Sequence, residues 1–394
     1  MAVDFFARPV WLVFGLAVLL LTPLTSGAVR KWVLAALNLM LIVTILWSNP
    51  FMVRASQVKL SIALIVGVGL AWASLRLIRR AGKPGLAACL CSIGLLAVWL
   101  LHKLPHLAQK AHLDRFSGLL VTVGFSYAAL RMVEAMRAMA ERRHAAPDIA
   151  DTINYLLPFN MLAAGPIQAY DDFVAQPQVP EPLTFKRTLA CAERIVNGLF
   201  KKYALALTLQ RLFLTDWRSH GLYLLLVESQ IYYVWLYLDF SAYSDIAVGM
   251  GGLLGIATPE NFNRPYLARN VIDFWERWHI SLSQFIRRNV FLPLQLFFVR
   301  RSEGSNALGA ACLAFAISFT LCGLWHNVSV RWLFWGAIQA SGLIVCYLYR
   351  HMLLKRHGRK WVNAQVANPV QRAISIVLTF EFAALSVAAT MYQR

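Results

Sequence analysis

Charge is scarce in this sequence. Only 14% of its 394 residues are Asp, Glu, Lys or Arg, against about 25% in soluble globular chains. Acid is scarcer still: 19 Asp and Glu stand against 38 Lys and Arg, for a formal net charge of +19. Cysteine is sparse and unpaired in pattern. Cys89, Cys91, Cys191, Cys312, Cys322 and Cys346 form no CxxC pair, and most sit in apolar runs. They imply neither a disulfide framework nor a zinc site and read as small buried hydrophobes. The sequence has no GxSxG nucleophile elbow, no phosphate loop and no HExxH. It has no internal repeat, which argues against a transporter assembled from inverted repeats, and no stretch that reads as a separate soluble domain.

Hydrophobic residues make up 59% of the chain. They gather into runs close to the roughly 18 residues a helix needs to cross about 30 Å of hydrocarbon: Pro9–Leu24, Trp32–Trp47, Leu60–Leu75, Gly85–Leu101, Ala307–Trp325 and Trp332–Tyr349. The runs are continuous, whereas a membrane β-barrel needs alternating segments of about 10 residues. The first run is a little long for a secretory signal and more runs follow it, so it reads as a first membrane helix. The expected fold is an all-α, polytopic integral membrane protein. It has about eleven spanning helices, with re-entrant and interfacial helices besides, in a single membrane domain over residues 1–394.

The basic residues cluster at Arg79-Arg80-Lys83, Arg137-Arg142-Arg143, Lys201-Lys202, Arg300-Arg301 and Lys355-Arg356-Arg359-Lys360. Such clusters mark cytoplasmic loops and favour anionic lipid head groups. No nucleic-acid partner is expected.

Four stretches break the apolar pattern. Residues 152–170, TINYLLPFNMLAAGPIQAY, are interrupted by Pro158 and Gly165-Pro166. Irregular backbone at membrane depth is tolerated only where protein or a cavity surrounds it, so this segment reads as re-entrant. Residues 274–283, FWERWHISLS, belong to a pattern that predicts one amphipathic helix over Asp273–Arg288. Trp275, Trp278, Leu282, Phe285 and Ile286 share a face, and His279 lies at its boundary. Such a helix either lies flat at the interface or enters a polar interior. Amphipathicity alone favours the first, and the polar approach Asn261-Asn263-Arg264-Pro265 favours the second. Residues 322–332, CGLWHNVSVRW, end an apolar run on His326, followed by Asn327. Histidine there is either a helix end meeting head groups or a functional group, and a neutral imidazole suits general-base work. In LDFSAYSD, Asp239 and Asp245 call for partners, with Arg264 or Arg269 at hand, and an ion-pair role ranks above a catalytic one. His102, His106 and His112 have metal-like spacing, but Pro105 disrupts their helix, so a wet loop is the better reading; His351 and His357 read likewise as members of a basic loop. No metal site is expected.

LYLDFSAYSDIAVGMGGLLGIATPENFNRPYLARNVIDFWERWHISLSQFIRRNVFLPL resembles the signature core of the membrane-bound O-acyltransferase family. The likeness is to its bacterial branch, which holds alginate O-acetyltransferases and the D-alanyl transferases of teichoic acids. NYLLPFNMLAAGPIQAYDDF resembles that family's re-entrant segment, and GLWHN matches the position of its hallmark histidine. The resemblance covers residues 154–335. It departs in the missing PLGG, in Asn327 where a small residue is usual, and in a short ending closer to the D-alanyl type.

The resemblance implies a tunnel through the membrane lined by the two histidine regions. It implies transfer of an acyl group, acetyl or D-alanyl-like, from a cytoplasmic thioester to a hydroxyl of an envelope polymer or glycolipid. No bound cofactor is expected. The donor is a substrate, acyl-CoA or an acyl carrier protein. The other expected partners are the acceptor, anionic lipids and a partner acyltransferase or carrier. The location implied is the bacterial cytoplasmic (inner) membrane, in a multi-pass topology. Within that scheme His326 is the general base and His279 orients reactants or steadies developing charge. Trp275, Trp278, Trp325, Asn263, Ser283 and Asn327 shape the substrate path, and Asp239, Asp245 and Arg264 form a structural polar core. The alternative reading is a polytopic transporter or flippase of an envelope precursor that uses the histidines for proton relay.

Overall fold

A computed structural model describes residues 8–21, 26–47, 54–104, 124–213 apart from 178 and 181, and 222–391. The chain divides into two compact units, residues 1–196 with 245–259 and residues 197–244 with 260–394. Among the described residues the secondary structure is helical, with one isolated antiparallel bridge between Phe262 and Trp278. Among the described residues six helices have the length and apolarity to cross a membrane, which makes this a multi-pass membrane protein. Residues 105–123 and 214–221 lie outside the described ones, so the six do not test the expected count of about eleven over the whole chain.

The first unit holds α1 (Arg8–Leu21), α2 (Gly27–Trp47), α3 (Arg54–Arg80), α4 (Pro84–Lys103), α5 (Phe125–Ala140), α6 (Ile149–Leu156), α7 (Tyr170–Val174) and α8 (Phe185–Leu199). Its apolar core runs along α2, α3, α5 and α6, through Ile42, Leu46, Leu75, Ile78, Met136, Met139 and Tyr155. Helix α4 has no fully buried residue; Ala87, Ala88, Cys91 and Leu95 pack against the core, and Leu86, Leu90, Ile93 and Leu96 are left for an apolar surrounding.

Residues 157–169 carry the irregular segment, with a 310 turn at Phe159–Met161 and most side chains buried. Its backbone polar groups meet side chains rather than a helical ladder. Arg131, on α5 and fully buried, donates to the carbonyls of Leu156, Met161 and Pro166 at 3.1, 2.7 and 3.0 Å. Asn38 Oδ1 accepts from the Phe159 N–H at 2.8 Å, and Asn160 Nδ2 donates to the Ala247 carbonyl at 3.0 Å. Hydrogen bonds to a charged donor are worth about 1.5–3 kcal/mol each, so one arginine sets much of this segment's shape.

The second unit holds α9 (Leu207–Phe213), the first two thirds of α10 (Leu222–Leu254), α11 (Val271–Trp275), α12 (Ile280–Ile286), α13 (Leu292–Arg301), α14 (Ala307–His326), α15 (Val330–Ala367) and α16 (Pro369–Met391). Helices α14 and α15 approach closely at glycines. A Cβ added at Gly323 would lie 2.1 Å from the Trp332 carbonyl oxygen, and one at Gly336 would lie 2.5 Å from that of Phe319. Small residues let backbones meet in this way, and here the approach brings the end of α14 against Trp332 and Trp335. Helix α15 turns at Gly358 (φ 78°). His351 and His357 therefore sit on a helix and not in a loop, and His357 stacks on Trp361 with ring centroids 4.3 Å apart.

Candidate active site

The stretch Asp273–Arg288 is not one helix. Helix α11 ends at Trp275 and α12 starts at Ile280, and between them His279 takes a left-handed conformation with φ 43° and ψ 53°. The amphipathic period is real, but it runs through a corner. The corner is imposed by the segment before it: Asn263 N–H donates to the Arg277 carbonyl and Ile280 N–H to the Asn261 carbonyl, both at 3.0 Å. These bonds flank the Phe262–Trp278 bridge and pull the chain out of helix.

Asn261, fully buried, locks the corner from inside. Its Oδ1 accepts from Ser281 Oγ at 2.6 Å and from the Ser281 N–H at 3.3 Å, and its Nδ2 donates to Ser244 Oγ at 3.3 Å. The Ser281 N–H can only donate, so the oxygen of the amide is the atom that faces it. His279 Nδ1 lies 3.4 Å from that same oxygen. A nitrogen facing an acceptor carries the proton, which leaves Nε2 of the neutral ring as an acceptor. The ring is neutral: His279 is 2% exposed, and burial, with His326 as a second cause, pushes its pKa down to about 3. Phe240 meets it edge-on at 4.8 Å between ring centroids.

His326 ends α14 and is positioned by rings. It stacks on Trp332 at 4.7 Å between centroids and meets Trp325 and Trp335 edge-on at 4.8 and 5.4 Å. His279 and His326 line one cavity of about 220 Å³. Its walls are stripes of helical spacing: Tyr232, Tyr233, Leu236 and Phe240 on α10, Trp332, Trp335 and Gln339 on α15, and Ala383, Ser386, Val387 and Thr390 on α16, with Phe274, Trp275, Trp278 and Leu282 beside them. A relay crosses it. Trp275 Nε1–H donates to Gln339 Oε1 at 3.1 Å, and Gln339 Nε2 donates to Ser386 Oγ at 2.7 Å.

The cavity thus brings together four of the expected residues, His279, His326, Trp275 and Trp278. Trp325 touches His326 but does not line the cavity. Asn263 and Asn327 are exposed, and Ser283 turns its hydroxyl toward the Trp278 carbonyl at 3.4 Å. The two aspartates do pair, but with other bases than expected. Asp239 takes Lys202 at 2.5 Å, and Asp245 takes Arg194 at 3.1 Å. Arg264 instead sits exposed at a left-handed corner before Pro265, and Arg269 gives its backbone N–H to Asp273. The bases that reach α10 come from the preceding helical stretch, about 40 to 50 residues upstream, which no local spacing suggests. His102 lies at the end of α4, while His106 and His112 fall outside the described residues. Among the described residues no group of His, Cys, Asp and Glu is placed to hold a metal.

Fold and site define a multi-pass helical membrane protein whose second unit encloses a small aromatic cavity with two histidines in its wall. The family model described as MBOAT, membrane-bound O-acyltransferase family, matches residues 30–387, and the chain belongs to that family. It is similar to the teichoic acid D-alanyltransferase of Bacillus subtilis, 28% identical over 233 residues that cover 58% of each chain. It is similar to the protein of Pseudomonas aeruginosa named probable alginate O-acetylase AlgI, 31% identical over 62% of this chain and 46% of that one. A peptidoglycan O-acetyltransferase of Helicobacter pylori is 36% identical over 124 residues, 31% of this chain and 22% of that one. The matches span about half the length of the first two relatives and less than a quarter of the third.

Proposed function

We propose that the protein is an O-acyltransferase of the bacterial cytoplasmic membrane. It moves a short acyl group from a cytoplasmic thioester, acyl-CoA or an acyl carrier protein, to a hydroxyl of an envelope polymer or glycolipid. The observation that carries this reading is the single aromatic cavity lined by both His279 and His326. The named relatives, which transfer D-alanyl or acetyl groups to envelope polymers, support it.

A hydroxyl is a weak nucleophile and needs a base as it attacks. His326 takes the hydroxyl proton while the oxygen bonds to the thioester carbonyl carbon; the carbonyl electrons collect on oxygen, then return and expel the thiolate, which takes the proton from His326. Positioned base catalysis of this kind contributes about 10²–10⁴-fold. His279, neutral and with Nε2 as an acceptor, receives a hydrogen bond and so orients a reactant rather than steadying an oxyanion. The acyl group that fits is small and uncharged, such as acetyl. No Asp or Glu is among the described residues that line the cavity, and a buried ammonium without a carboxylate costs several kcal/mol.

The test is thioester turnover by the purified protein in nanodiscs, with a hydroxylated acceptor and without. Acceptor-dependent turnover that His326→Ala removes is the expected result. Solute flux into proteoliposomes without any acyl donor, and with no acylated product, would overturn the reading in favour of a transporter.

A further inference from the structure

A second cavity of the second unit, about 660 Å³, lies along α15 and α16 and is unused by the chemistry above. Its α15 wall is a single stripe, Phe334, Ala337, Ser341, Val345 and Tyr349, facing Leu378 and Phe382 of α16. Two of the small polar residues on its walls, Ser341 and Thr379, give their hydroxyls to their own helices. Ser341 Oγ donates to the Ala337 carbonyl at 2.8 Å and Thr379 Oγ to the Ser375 carbonyl at 2.7 Å, so each hydroxyl bonds its own helix and presents hydrocarbon. Phe334, Val345 and Leu378 are 61%, 63% and 65% exposed, an apolar lining open to the outside. From Phe334 to Tyr349 the stripe runs about 22 Å, more than the roughly 15 Å of hydrocarbon in one leaflet.

One charged group stands in this lining. Arg269 borders the groove beside Asn270 and Val271, in a lining that also holds Cys346 and Tyr349, the last turn of α15 before Arg350. Arg269 forms no ion pair among the described residues. The nearby Asp273 gives one oxygen to the Arg269 backbone N–H and the other to the Arg277 guanidinium at 2.6 Å. Beyond Tyr349, α15 continues through exposed Arg350, His351, Lys355 and Arg356. The groove is apolar for the length of an acyl chain, and Arg269 is the one charged residue in its lining; exposed Arg331 lies one turn before Phe334, beyond the other end of the stripe. A cation over hydrocarbon walls matches an amphiphile with a negative head, and a helix from another chain would leave the guanidinium unanswered.

We propose that this groove binds one anionic phospholipid from the leaflet at the basic end of α15, its phosphate on Arg269 and one acyl chain along the Phe334–Val345 stripe. The same two helices turn Trp335, Gln339 and Ser386 into the histidine cavity, so the lipid braces the far side of that wall.

Native mass spectrometry of the full chain, released from nanodiscs of phosphatidylglycerol and phosphatidylcholine in equal amounts, reads this without any acyl transfer and stands or falls apart from the proposed reaction. Wild type should retain one lipid per chain, with about a fivefold preference for phosphatidylglycerol, the worth of one basic side chain at an anionic surface. Arg269→Gln should keep the lipid and lose the preference. Ala337→Phe with Ser341→Phe should lose the lipid, and Val345→Trp, at an exposed position, gives the same reading should the double variant fail to fold. Equal retention of both lipids by wild type, unchanged preference in Arg269→Gln, or a second protein chain in place of lipid would each overturn the proposal.

Discussion

The two histidines of the cavity stand in different surroundings. His279 sits in a corner made by backbone and amide hydrogen bonds, with Asn261 gripping the residues after it and the ring buried to 2%. His326 sits at the end of a long helix, against the faces and edges of Trp325, Trp332 and Trp335. A hydrogen-bonded corner fixes one tautomer and one direction. A stack of rings fixes a plane and tolerates a change in charge, because a cation is welcome against an aromatic face. The first suits a group that stays neutral and orients, and the second suits a group that gains and loses a proton in each cycle.

That contrast can be broken by experiment. The largest effect should come from His326→Ala, which should lower thioester turnover by about 10²–10⁴-fold with little change in the melting temperature of the detergent-purified protein. Next is acid. Because the folded His279 titrates near 3 and the unfolded ring near 6.5, the unfolded chain binds the extra proton between those values. Stability should then fall as pH drops below 6.5, by up to about 1.4 kcal/mol per pH unit, with no contribution from this group above it. Thermal melts across pH 4–7 would show the slope, and its absence in His279→Gln would assign it. Asn261→Ala should cost about 1–3 kcal/mol by leaving Ser281 and Ser244 short of partners. It should raise KM more than it lowers kcat if His279 serves to orient, and an equal fall in both kcat and kcat/KM would move His279 into the chemistry itself.

Much of this was legible in the chain. Long apolar runs are read directly by hydrocarbon thickness, and Ala307–His326 ends on the histidine that the run had pointed to. The break at Gly165-Pro166 announced irregular backbone, although nothing announced that Arg131 would satisfy it. The corner at His279 was hidden because period counts residues and not direction: Trp275, Trp278 and Leu282 keep a helical spacing across a turn that only the distant Asn261 explains. The cavity's far walls were missed for a similar reason. Trp332, Trp335 and Gln339, or Ala383, Ser386, Val387 and Thr390, are spaced like any buried face, and only a partner shows which face looks on a cavity. Asp239 and Asp245 have Arg264 and Arg269 near in sequence, yet they pair with Lys202 and Arg194, because contact follows the path of the chain through space.

The left-handed corner at His279 bears on how the site should be dissected. Alanine is ordinarily the gentler deletion and glycine the harsher one in ordered backbone. At φ 43° the order inverts, since a Cβ there costs about 1–2 kcal/mol that glycine does not incur. His279→Gly should melt higher than His279→Ala by about 1 kcal/mol of stability, while both lack the same imidazole. An alanine scan by itself would ascribe to the ring a cost that belongs to the main chain, and only the pair of deletions separates what the side chain does from what its position demands.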